Sequence, residues 1–149
     1  MGYFAGIVPL RGQVDIDRPF SESLSSVHQA TMDCFANAMP FVELVPALGE
    51  RSAPGHNPVF EVRFALQNHP VPDVALHGLS ARLRMRSTGT SRFDLACEIT
   101  EEGEALEVAW VFLLSLFSKK EMQELDQILR DVLAEVCRSP EKKTAALIT

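Results

Sequence analysis

Histidine and arginine are the residue types in this chain whose spacing can do chemistry. His69 opens the run His69-Pro70-Val71-Pro72-Asp73, an H-x-x-x-D spacing. A histidine so placed can take a proton from an attacking nucleophile, with the aspartate holding the local backbone. Two prolines keep the pair extended and no glycine follows Asp73, so a proline-rich surface turn is the preferred reading. The second candidate is basic: Arg82, Arg84 and Arg86 alternate along the chain, with Arg92 beyond them. A period of two puts the first three on one sheet face, where guanidinium groups can hold a phosphate. A solvated outer face, or an edge guarded by charge, is the preferred alternative.

Other chemistry is hard to find. His28 sits next to the apolar side of a helical stretch and reads as a packing residue, while His56 and His77 have no evident partners. Cys34, Cys97 and Cys137 are odd in number and form no C-x-x-C pair, which argues against a disulfide framework or a zinc knuckle and for cytoplasmic thiols. G-x-S-x-G, H-E-x-x-H, G-x-G-x-x-G and the P-loop are all missing. We therefore assign no catalytic residue and no metal site to this chain on its own. Twenty acidic residues against 14 basic ones leave a net charge of −6, which disfavours a nucleic-acid surface. No basic segment followed by an apolar run opens the chain, and no uncharged apolar run approaches a membrane span.

The elements that must position these residues follow from periodicity. The 149 residues suit one domain, and 46% hydrophobic with 23% charged residues suits a globular one. Tyr3 to Leu10 is short, aromatic and β-branched, and predicts a strand. Phe20, Leu24, Val27, Thr31, Cys34 and Ala38 predict one face of a helix that Pro40 ends. Phe41, Leu44, Val45 and Leu48 predict a short second helix closed by Gly49. Phe60, Val62, Phe64 and Leu66 alternate with other residues and predict a half-buried strand. Leu79 to Met85, Phe93 to Ile99 and Ala105 to Leu114 predict three more strands, the last two joined by a tight turn at Glu101 to Glu104. Met122, Leu125, Leu129, Val132 and Val136 predict the apolar face of a long helix that starts after Ser118 and stops at Pro140. Residues 140–149 read as a short tail that frays. The expected architecture is α/β, an α+β sandwich in the order β-α-α-β-β-β-β-α. Its mixed sheet has about five strands, the last four a meander, with two long helices.

Trp110 to Leu114 run without polar relief, so the last strand should be buried on both faces. Either the two long helices cover it or a partner does.

Taken in order, several segments resemble the C-terminal half of the condensation domains of nonribosomal peptide synthetases. Met1-Gly2-Tyr3-Phe4-Ala5-Gly6-Ile7-Val8-Pro9-Leu10-Arg11 is similar to the family's G-x-F-V-N-T-L-x-L-R strand. Met39-Pro40-Phe41-Val42-Glu43-Leu44-Val45 is similar to Y-P-F-E-x-L-V. His56-Asn57-Pro58-Val59-Phe60-Glu61-Val62-Arg63-Phe64 resembles R-N-P-L-F-Q-V-M-F, and Ser91-Arg92-Phe93-Asp94-Leu95 resembles x-K-F-D-L. Leu116-Phe117 resembles the D-L-F before the family's final helix.

The resemblance implies half of a chloramphenicol-acetyltransferase-like fold over residues 1–139, with 140–149 as a tail. It implies one wall of a tunnel in which amide bonds form between acyl and aminoacyl groups on peptidyl carrier proteins. The reactive groups would arrive on phosphopantetheine arms, with no cofactor bound to this chain directly. The family's catalytic H-H-x-x-x-D-G motif belongs to the N-terminal half and does not occur here, so the chain alone is expected to be inactive. Gly6, Ile7 and Arg92 would lie near the tunnel, and Arg82, Arg84 and Arg86 would meet a carrier or its phosphate. Partners would be the N-terminal half and a carrier protein.

Some positions depart from the family pattern. Gly6-Ile7 stands for a polar Asn-Thr pair, Ala38 and Val42 for acidic residues, and Phe112-Leu113-Leu114 for a polar stretch. These changes favour an alternative: a degenerate, non-catalytic module that binds a carrier or tailoring enzyme, or self-associates. A third and weaker reading is a free-standing acyltransferase built on His69.

Overall fold

The computed structural model describes residues 6–49, 57–67, 75–76, 79–80 and 90–147. They divide into two compact units, Met1–Val59 with Lys119–Thr149, and Phe60–Ser118.

The first unit is helical. Its α1 spans Phe20–Ala36, α2 spans Phe41–Ala47 and α3 spans Lys119–Arg138, followed by a 3-10 turn at Thr144–Leu147. Apolar spacing accounts for α3 well. Met122 is buried, and Leu125, Leu129, Val132 and Val136 are half-buried, which is the face the spacing predicts. Ion pairs Lys120–Glu124 and Arg130–Asp126 lie one turn apart on its exposed side. Gly49 takes a φ of +71°, and its N–H donates to the Pro46 carbonyl at 3.0 Å, closing α2 as a left-handed glycine closes a helix.

The α1 face is rotated from the one its apolar spacing suggests. Phe20, Val27, Ala30, Thr31 and Cys34 are half-buried, whereas Leu24 is 57% exposed and Ala38 is exposed and outside the helix. Leu24, Met32 and Phe35 form a second apolar row on the outside, with exposed His28 among them. The reading of His28 as a packing residue is therefore corrected.

The strand expected at Tyr3 to Leu10 is not seen in its described part: residues 6–10 have no strand pairing, and residues 3–5 lie outside the described residues. Val8 and Pro9 are half-buried instead, and the Cys34 thiol donates to the Pro9 carbonyl at 3.6 Å. The segment read as a fraying tail is tied down. Thr144 N–H donates to the Arg18 carbonyl at 3.0 Å and Ala145 N–H to the Ile16 carbonyl at 2.8 Å.

The second unit holds the sheet. Its strands are β1 (Val62–Gln67), β2 (Ala75–Leu76), β3 (Leu79–Ser80), β4 (Leu95–Glu102) and β5 (Ala105–Phe112). Three of them form one sheet in the order β1-β4-β5, and β2 with β3 forms a separate two-stranded piece. The sheet is mixed, as expected; among the described residues it has three strands, slightly fewer than the five or so expected, and most of the strand expected over Leu79 to Met85 lies outside the described residues. β1 runs parallel to β4, while β4 and β5 form an antiparallel hairpin. A parallel pair cannot be closed by a tight turn, which is why residues 68–94 must cross over between β1 and β4. The hairpin turns on Gly103, whose φ of +64° at the first central position is the geometry that glycine adopts without a Cβ clash.

Register determines the two faces. Val62, Phe64 and Leu66 pair with Leu95, Cys97 and Ile99, which pair in turn with Phe112, Trp110 and Val108. Opposed residues share a face, so these nine make one apolar surface. The other face carries Arg63, Gln67, Glu98, Thr100 and Glu107 among alanines and Val111.

Burial follows position in the sheet more than hydrophobicity. Central β4 holds buried Ala96, Cys97 and Ile99, and adjacent Ala96 and Cys97 point to opposite faces. No residue of β5 is buried, which corrects the expectation for its apolar run. β4 has a hydrogen-bonded neighbour on each side, whereas among the described residues β5 and β1 have one. The row expected to be half-buried on β1 is open: Val62, Phe64 and Leu66 are 61%, 67% and 48% exposed.

Candidate functional site

The start of the sheet unites two of the sequence segments singled out above. Asn57 shapes the approach to β1, its side-chain oxygen accepting from Val59 N–H at 3.4 Å in an Asx turn around Pro58. Ser91 does the same before β4: its hydroxyl oxygen accepts from Phe93 N–H at 3.1 Å, and its O–H contacts the Phe93 carbonyl. The Phe93 ring, so oriented, stacks on Phe60 with centroids 5.7 Å apart and planes 21° from parallel.

Backbone bonds lock the same junction. The Glu61 carbonyl accepts from Asp94 N–H at 3.0 Å and from Leu95 N–H at 3.3 Å, and the Asp94 carbonyl accepts from Leu113 N–H at 3.0 Å. The Asp94 backbone therefore ties the ends of three strands together. One step into the sheet, on the polar face, Arg63 of β1 pairs with Glu98 of β4; the two side chains are 29% and 26% exposed. Shielding at that level makes the pair stronger than a fully solvated one.

Among the described residues this junction is built from backbone bonds, an aromatic stack and one ion pair. Cys97 is buried, and Cys137 lies exposed in α3. Among the described residues no group of three histidine, cysteine, aspartate or glutamate side chains can hold a metal ion.

Of the candidate residues, Gly6 and Ile7 lie in the helical unit and Arg92 in the sheet unit, just before β4. Gly6 is exposed, and a Cβ added to it would meet no atom within 4 Å. Ile7 is 42% exposed. Arg92 is exposed. Arg82, Arg84 and Arg86 lie outside the described residues, as do His56, His69, Asp73 and His77.

A feature the motifs did not flag is a groove of about 400 Å³ beside α1, lined by Arg11, Gly12, Gln13, Ser26, Val27 and Ala30. It continues along Asp15, Arg18, Glu22 and Ser23, where Arg18 pairs with Asp15 at 3.2 Å and Glu22 at 3.3 Å. The i, i+3 and i, i+4 spacings of these charges were visible in the sequence, but the groove that residues 11–18 form with α1 was not.

An α/β chain whose mixed sheet is clamped by N-P-V-F-E and S-R-F-D-L segments defines a class. The family model of the condensation domain matches residues 1–149, and the chain belongs to that family, the condensation domains of nonribosomal peptide synthetases. Among curated relatives it is 31% identical over 144 residues to a linear gramicidin synthase of Brevibacillus parabrevis, covering 95% of this chain and 2% of that protein. It is 27% identical over 154 residues to the dimodular nonribosomal peptide synthase of Bacillus subtilis (strain 168), covering 99% of this chain and 6% of that protein. Bacitracin synthase 1 of Bacillus licheniformis is 25% identical over 142 residues, 95% of this chain and 3% of its own length. The chain thus spans only a few per cent of the relatives it matches. No helix among the described residues is long and apolar enough to cross a membrane.

Proposed function

We propose that this chain is the C-terminal subdomain of a peptide-synthetase condensation domain, a chloramphenicol-acetyltransferase-like half over residues 1–139 with 140–149 as its tail. It forms one wall of the tunnel in which the amine of one carrier-bound aminoacyl group attacks the thioester of another carrier-bound acyl group. The histidine that assists the attack comes from an H-H-x-x-x-D-G segment outside these 149 residues, so the chain alone does not make amide bonds. Gly6, Ile7 and Arg92 face the tunnel. Arg82, Arg84 and Arg86, with Arg92, meet the phosphate of the phosphopantetheine arm or the carrier that bears it. The setting is the cytoplasm.

The observation that supports this reading most is the Phe60–Phe93 stack, which brings the two most family-like segments into one junction. Supplying a separately expressed H-H-x-x-x-D-G half together with two loaded carrier proteins tests it. The expected result is amide product by mass spectrometry with both halves and none with this chain alone. Product from this chain alone would overturn the division of labour.

A second reading, a non-catalytic module that binds a carrier or tailoring enzyme or self-associates, draws on the open apolar row Val62, Phe64 and Leu66. It predicts no product under the same conditions, with carrier binding or a concentration-dependent dimer in its place.

A further inference from the structure

The first turn of α1 has no side-chain cap, because Pro19 occupies the N-cap position. Proline offers no hydroxyl or carboxylate to the free N–H groups that every helix start presents. Those groups are nonetheless paired. Phe20 N–H donates to the Lys142 carbonyl and Ser21 N–H to the Pro140 carbonyl, both at 2.9 Å. Main-chain oxygens more than a hundred residues away supply the cap, and their partial negative charge sits at the positive end of the helix dipole.

The same segment grips the chain just before α1. Pro19 and Lys143 form an antiparallel bridge. The Thr144 hydroxyl lies 3.3 Å from the Arg18 carbonyl and 3.4 Å from the Ser23 hydroxyl, adding to the Thr144 and Ala145 backbone bonds described above. Its root is fixed to α3, where the Lys142 ammonium donates to Glu135 at 2.8 Å. Arg18 and Ser23, both held by Thr144, also line the groove beside α1.

We infer that residues 140–147 are a strap whose docking caps α1 and holds residues 11–18 in place, so that the start of α1 and the groove beside it open and close with the strap. Its first part is polar and open: Lys142 and Lys143 are charged and residues 139–143 are exposed, while Thr144, Ala145 and Leu147 are half-buried. A segment held mainly by hydrogen bonds at the surface belongs to the class that opens locally, ahead of the core.

Thr144→Pro tests this on the full 149-residue chain. It removes one N–H donor and the hydroxyl, at a position preceded by extended Lys143, which tolerates a following proline. Residue-resolved amide exchange is the readout. The expected result is exchange at Phe20 and Ser21, whose N–H groups donate to the strap, faster by about tenfold or more, with Ile99 in β4 and Leu129 in α3 unchanged. A second variant, shortened after Ser139, should move the same two amides further in the same direction. Unchanged protection at Phe20 and Ser21 in Thr144→Pro would overturn the strap. So would equal acceleration at Ile99 and Leu129, which would mean that the segment opens only with the whole fold.

Discussion

Phe60 and Phe93, 33 positions apart in the chain, stack with ring centroids 5.7 Å apart and planes at 21°. The contact closes the crossover between parallel β1 and β4 at the end where both strands begin. Each ring is half-buried, so truncating either to alanine should cost about 2–3 kcal/mol, below the range for a fully buried phenylalanine. A double-mutant cycle by urea denaturation should return a coupling of about 0.5–1.5 kcal/mol. Additive losses would mean that the stack is only proximity.

The Arg63–Glu98 pair gives a second test. Both side chains are about one-quarter exposed, so neither charge is fully solvated once its partner is gone. Glu98→Leu or Arg63→Met alone should each destabilise the chain by about 1–2 kcal/mol, and the two together by less than the sum of the single changes. Denaturant midpoints of the two single variants and the double variant decide it.

Phe64 should behave unlike Phe60 although the two are only four residues apart. It is 67% exposed, and Phe64→Gln should change stability by less than about 0.5 kcal/mol. If β1 is covered by the other half of a condensation domain or by a second copy, the same change should weaken that association by several-fold in a sedimentation or calorimetric titration. A loss of stability in the isolated chain would instead mean that Phe64 packs within it.

Acid should loosen the strap before it loosens the sheet. The Lys142 hydrogen bond and then its charge hold the Glu135 carboxyl below its ordinary value against the opposing effect of desolvation, with a lesser pull from Arg138. A carboxylate with a folded-state pKa below its unfolded one stabilises the fold above the unfolded value. That stabilisation is lost as pH falls through the folded value. The chemical shifts of Thr144 and Ala145 amides, followed from neutral to acid, should therefore move through a carboxylate titration. Glu135→Gln should abolish that step, and an unaltered step would assign it to another group.

Local pattern was a good guide wherever one element supplies its own geometry. The apolar period of three and four placed α3 and its buried face, Gly49 closed α2, and Gly103 turned the last hairpin, because each depends on residues within a turn of one another. Prediction failed where partners are remote. Whether Val62, Phe64 and Leu66 are covered depends on what lies across the sheet, and alternation reports only that they share a face. The long apolar run of β5 suggested a strand buried on both faces, but hydrogen-bond order made β4 central and buried, and no property of a single strand encodes its neighbours. The family motifs at Phe60 and Phe93 were legible as separate segments. Their stacking was not, nor was the pairing of Arg63 with Glu98, since both depend on parallel register across a 27-residue crossover. The helices, the tight turns, the mixed α/β class and the family are readable along the chain. Which strand is buried, which apolar row stays open and which distant carbonyls cap α1 follow from chain segments meeting in space, where short-range periodicity carries no information.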